Sequence, residues 1–171
     1  MRLSLLIMGI SFATATGAVQ IGPLNNLAFE ERAATDACYL KMIRLYHARY
    51  LVSQDNASTC IELTYQRPFS VEELSRSTHL IYRERHGAQQ AASDEVLLSR
   101  LTSNYRPVAV GDAYQYCTTD LSGGWLYHNA TPVLHIEDPL AANRVMGIWI
   151  ADIDPNGLPE WNFSSCLGKV F

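Results

Sequence analysis

Cys60-Ile61-Glu62-Leu63-Thr64-Tyr65-Gln66, followed after three residues by Ser70-Val71-Glu72-Glu73, decides the fold of this chain. The first stretch alternates strictly between apolar and polar residues. That is the period of a half-buried strand, with Ile61, Leu63 and Tyr65 on one face. The second stretch is a capping box: the Ser70 hydroxyl accepts from the amide three residues on, and Glu73 reaches back to the Ser70 amide. A helix therefore starts close behind a strand. It carries Leu74, Thr78 and Ile81 inward and its arginines and glutamates outward, and Gly87 ends it.

On the N-terminal side, residues 38–51 are rich in aromatic and branched side chains and stop at the polar cluster Ser53 to Ser58. With the strand at Cys60–Gln66 they form an antiparallel hairpin with a wide turn. On the C-terminal side, Ala88–Ala92 is polar, and a second helix starts near Ser93. Asp94 and Glu95 suit its dipole, and Val96, Leu97, Leu101 and Tyr105 form its buried stripe. Arg106-Pro107 breaks it, and Gly111-Asp112 turns the chain. Three strand-like runs follow, at 113–119, 125–128 and 132–137. Asp138-Pro139 is an N-cap with proline at the first helical position, opening a helix to about Ala151. Leu158–Leu167 reads as a short amphipathic tail, and Trp125, Trp149 and Trp161 as core. The order β-β-α-α-β-β-β-α is an α+β domain with an antiparallel sheet and segregated helices.

The first residues, Met1-Arg2, an apolar run Leu3–Phe12 and the small residues Ala13–Ala18, have the layout of a secretory signal peptide, with cleavage after Ala15 or Ala18. Residues 1–18 are read as the signal and 19–171 as one domain, periplasmic or secreted, with no transmembrane segment in the mature chain. The 17 acidic and 13 basic residues give a net charge of −4, with no basic stripe for a nucleic-acid partner. The four cysteines, Cys38, Cys60, Cys117 and Cys166, are candidates for disulfides in an oxidising compartment. Three connectivities are open to them, and none of their spacings fits a metal site. No nucleophile elbow or metalloprotease motif occurs among the residues, and no cofactor is expected.

The order of local signatures carries further. Leu45-Tyr46-His47-Ala48-Arg49-Tyr50-Leu51 resembles the first core strand of the chalcone isomerase-like family, in particular its small exported bacterial members. Ile61–Arg67 and then Phe69–Leu74 resemble that family's strand-to-helix passage, and Pro107–Tyr114 its V-x-x-G-D-x-y turn. Gly124–Asn129 is similar to its glycine followed by a short strand, and Met146-Gly147-Ile148-Trp149-Ile150 to its F-G-I-W-L-G helix end. The resemblance spans about Tyr39 to Gly168. It implies an open-faced antiparallel sheet covered by helices, with a ligand cleft between them.

In the family's enzymes an arginine near the first core strand, with threonine and tyrosine hydroxyls, polarises a ketone; fatty-acid-binding members hold a carboxylate with arginine and tyrosine. Here that place reads Thr35-Asp36-Ala37-Cys38-Tyr39, with Arg32 and Arg44 out of register. An aspartate in the cleft would repel an anion. The expectation is therefore a non-catalytic exported domain binding a small apolar or amphipathic, fatty-acid-like molecule. Tyr46, Tyr65 and Tyr116 are candidate hydroxyls on the cleft wall, and Arg67 is a candidate anion partner. The alternatives are an intramolecular lyase of unknown substrate and a structural or partner-binding envelope protein.

Overall fold

The computed structural model describes residues 27–166; the signal-peptide reading of residues 1–18 lies outside the described residues. Six strands form one sheet: β1 (Phe29–Tyr39), β2 (Ile43–Ser53), β3 (Ser58–Tyr65), β4 (Ala113–Thr119), β5 (Gly123–His128) and β6 (Thr131–Ile136). They lie side by side in chain order, each antiparallel to the next. The helices α1 (Val71–His86), α2 (Ala88–Ser93) and α3 (Glu95–Ser103) are inserted between β3 and β4, and α4 (Pro139–Met146) follows β6. A small second sheet pairs β7 (Ile150–Ile153) with β8 (Pro159–Trp161). The architecture is the expected α+β, an antiparallel sheet with helices on one face.

Alternation along each strand assigns the faces. Ala48, Tyr50, Ile61, Leu63, Tyr65, Tyr114, Tyr116 and Leu126 turn toward the helices and join one core with Leu74, Tyr82, Leu98, Leu101, Val145 and Trp149. Each fully buried aliphatic side chain there contributes roughly 1.5–3 kcal/mol by leaving water. Their neighbours in sequence, Leu51, Cys60, Cys117 and Tyr127, form a second cluster on the outer face. The capping box at Ser70 forms in full, with Ser70 N–H donating to Glu73 and Glu73 N–H to Ser70 Oγ.

The structure departs from the sequence expectations in four places. The run 38–51 holds the last two residues of β1 and most of β2, and the part of β1 before Cys38 has no counterpart in the sequence pattern. Its alternation is broken by register shifts between Glu31 and Ala33 and between Ala37 and Cys38, and three of its exposed positions, Glu30, Glu31 and Arg32, are charged. The polar stretch Ala88–Ala92 is helical, and α2 and α3 meet at Asp94. Val96, expected in the buried stripe, is 76% exposed, and Leu98 takes its place beside Leu101, which is buried as expected. The last helix stops at Met146 instead of running to Ala151, because Ile150 already pairs with Trp161 in the small sheet.

Both disulfides are resolved. Cys60–Cys117 joins β3 to β4 on the outer face, and Cys38–Cys166 ties the C-terminal stretch to the end of β1. That stretch also covers the free edge of β1, with Cys38 N–H donating to the Ser164 carbonyl and Cys166 N–H to the Asp36 carbonyl. Covering the edge removes a row of unpaired backbone groups that could template aggregation.

Candidate functional site

A cavity of about 200 Å³ lies between the helix-facing side of the sheet and α1. Leu63, Tyr65, Tyr114 and Leu126 on the sheet form its floor together with Ile148. Leu74, Thr78 and Ile81, one stripe of α1 at helical spacing, form the opposite wall. The half-buried rings of Tyr46, Phe69, Tyr105 and Phe163 close the ends. Trp149 lines the cavity as well, carried there by the turn after α4.

Tyr65 is the hub. Its ring meets Tyr46 at 5.8 Å, Phe69 at 5.5 Å and Tyr114 at 6.3 Å between centroids, each edge to face. Tyr46 meets Phe163 at 5.3 Å in the same manner. Such edge-to-face contacts hold rings in fixed orientations at about 0.5–1.5 kcal/mol each beyond simple burial.

The hydroxyls divide into two groups. Tyr114 Oη accepts from Arg106 N–H at 2.6 Å and donates to the Arg106 carbonyl. Ser77 donates to the Leu74 carbonyl, and Thr78 pairs with Tyr105 at 2.8 Å. Tyr46 and Tyr65 make no side-chain hydrogen bond among the described residues, although Tyr65 is only 5% exposed. Burial pushes the phenols of Tyr46, Tyr65 and Tyr105 well above their usual range, so they stay protonated as donors. Every residue on the cavity wall is uncharged.

The residues singled out from the sequence are not all brought together. Tyr46 and Tyr65 share the cavity. Tyr116 lies deeper in the core: its hydroxyl donates to the Ala142 carbonyl at 3.0 Å and its ring packs on Trp149. Gly124 makes that placement feasible, since a Cβ there would stand 2.2 Å from the Tyr116 hydroxyl. Arg67 sits outside, its guanidinium 4.7 Å above the Phe69 ring and 3.9 Å from Glu73. Phe69 thus stands between Arg67 and the cavity.

Asp36, which the sequence placed in the cleft, pairs with His47 at 2.8 Å and Arg44 at 3.3 Å instead. His47 belongs to the outer face, because it alternates with Tyr46 and Ala48, and the strand register sets Asp36 directly opposite it. Asp36 therefore exerts no repulsion at close range on a ligand in the cavity. Tyr105, Trp149 and Phe163 were missed as wall residues. Tyr105 lies past the end of α3, and Phe163 arrives on a stretch whose course is set by Cys38–Cys166 and by Asn162 donating to the Gly147 carbonyl.

A second polar cluster is structural. Asp94 accepts from Tyr82 at 2.5 Å, from Gln90 at 2.8 Å, and from two nitrogens of Arg144 at 2.8 and 3.0 Å. Against the desolvation that burial imposes, these bonds hold its carboxyl down at about 2. The cluster pins α1 and the α2–α3 junction to α4.

No protein-family model and no curated protein matches the sequence. Among solved structures, the crystal structure of a fatty-acid binding protein from Arabidopsis thaliana aligns with a TM-score of 0.55 at 10% sequence identity, over 75% of this chain and 84% of that one. The fold is the chalcone isomerase-like fold. At that identity the likeness is one of fold alone. In this domain the cleft is apolar and bounded by tyrosines.

Proposed function

We propose that the chain is a non-catalytic binding protein that holds a small apolar or amphipathic molecule between its sheet and α1, with Tyr46 and Tyr65 as polar contacts. The observation that carries this reading is the cavity itself: well-packed interiors leave few voids larger than a water molecule, and this one measures about 200 Å³. A void that size lined by apolar side chains forfeits dispersion contacts unless something fills it. The hydroxyls of Tyr46 and Tyr65, lacking protein partners among the described residues, supply orientation.

Nucleophilic or acid–base catalysis calls for an activated nucleophile or a base poised near neutral pH. Among the described residues the wall carries no histidine, cysteine, carboxylate, lysine or arginine, its serine and threonine hydroxyls have no such base beside them, and burial keeps Tyr46, Tyr65 and Tyr105 protonated. The two disulfides accord with an oxidising compartment. Among the described residues no helix is long and apolar enough to cross a membrane. An exported, periplasmic or secreted carrier is the reading these features support. Native mass spectrometry after gentle extraction tests it. A co-purifying small molecule, displaced on denaturation, is expected; a bare chain that also takes up no apolar probe would overturn the reading.

A further inference from the structure

The cavity has unpartnered hydroxyls and no charge. Tyr46 and Tyr65 each carry a hydroxyl hydrogen without an acceptor among the described residues. In the Thr78–Tyr105 pair one hydroxyl donates to the other, so one hydrogen is left over there as well. Two backbone carbonyls nearby each already accept a hydroxyl, that of Arg106 from Tyr114 and that of Leu74 from Ser77, and neither accepts from Tyr46 or Tyr65. The cation expected to meet an anionic head group, Arg67, is turned onto the outer side of Phe69 and toward Glu73.

We infer that the ligand is a neutral molecule with a hydrogen-bond acceptor, such as an ester or a ketone, its acceptor oxygen bound by Tyr65 and Tyr46, and that the cavity discriminates against carboxylates. The inference rests on the cavity being a binding site. A carboxylate placed there would lose its hydration with no cation to compensate, and would bind only as the protonated acid. An uncharged acceptor takes up the spare donors at a much smaller desolvation cost. Size adds a second restriction. A cavity of 150 Å³ in another protein accepts benzene, so about 200 Å³ suits one ring with a substituent or a chain of roughly eight carbons. A full-length fatty acid would leave most of its tail outside.

Methyl heptanoate and octanoic acid are isomers with the same heavy-atom count, and they separate charge from shape. Binding of both to the full chain is measured by titration at pH 8 and again at pH 5. The ester is expected to bind at least about tenfold more tightly than the acid at pH 8, with the gap closing at pH 5 as the acid protonates. Tyr65→Phe is expected to weaken the ester by about three- to tenfold while leaving butylbenzene, which has no acceptor, nearly unchanged. Tyr46→Phe gives a second, independent variant, and circular dichroism establishes that each is folded. Arg67→Gln is expected to change neither ligand. Equal or tighter binding of octanoate at pH 8, or its loss in Arg67→Gln, would overturn the inference while leaving the binding reading intact. Binding of none of the three probes would overturn both.

Discussion

The two faces of the six-stranded sheet are built from alternating residues of the same strands, yet they are held by different forces. On the outer face, Cys60 and Cys117 are covalently joined, Arg49 bridges Glu31 and Glu62 at 2.7 and 2.9 Å, and Trp125 stacks on His135. Toward the helices, the same strands present tyrosines around a void. Each face also leaves a hydroxyl without a partner among the described residues. Tyr127 on the outer face is fully buried in the cluster of Leu51, Cys60 and Cys117. Tyr65 borders space that can hold an acceptor. An unpaired donor points to a ligand only where there is volume beside it. In this fold the locked face frees the other to be loosely filled.

The largest test of that division removes the outer lock. Replacing Cys60 and Cys117 together by alanine releases a loop with a sequence separation of 57, worth about 4 kcal/mol on chain-entropy grounds. Denaturant unfolding should show a loss in the range of about 2–4 kcal/mol, while the folded fraction keeps its affinity for an apolar probe. Loss of binding from a still-folded variant would show that the faces are not independent.

Next in size is the Asp94 cluster, which fixes the helices over the cavity. Asp94→Ala should cost about 2–3 kcal/mol, below the roughly 3–5 of a fully enclosed pair because the Arg144 side chain is 31% exposed. The folded carboxyl lies near 2, below the unfolded value of about 3.9. Its contribution is therefore fully present above pH 4 and is lost as pH falls from about 4 toward 2. Acid unfolding followed by circular dichroism should show this window in the parent chain and not in Asp94→Ala.

Ile148→Phe should act on the helix-facing side alone. The larger ring occupies part of the void from the wall, so probe affinity should fall at least tenfold, about 1.4 kcal/mol. Stability should change by no more than about 1–2 kcal/mol, with burial gained against strain. The smallest effect belongs to Arg49→Gln. Its side chain is 29% exposed, and its pairing with Glu31 and Glu62 should be worth about 0.2–1 kcal/mol, shrinking in high salt. A thermal melt with and without 1 M salt checks it.

How much of this was legible in the sequence follows from the same contrast. Ile61, Leu63 and Tyr65 announced their face because β3 is central and alternates cleanly, and Ser70 with Glu73 announced α1. β1 stayed hidden because it is an edge strand with two register shifts and its solvent positions filled by Glu30, Glu31 and Arg32. Tyr46 and Tyr65 were recognisable as wall residues from strand period alone. Tyr116, of identical period, is deeper because Gly124 on the neighbouring strand leaves room for its hydroxyl to reach α4. Phe163 depends on contacts distant in sequence, Cys38 with Cys166 and Asn162 with Gly147, which no local pattern encodes. Asp36 was assigned to the wrong face for want of the register that pairs it with His47.

The most direct measurement is an NMR titration of the isotope-labelled chain with methyl heptanoate. Saturable shift changes are expected at Leu63, Tyr65, Leu126, Ile148 and Trp149 around the cavity, with Leu51, Trp125 and Tyr127 on the outer face unmoved. Shifts that fail to saturate, or that gather on the outer face, would contradict a binding site between the sheet and α1.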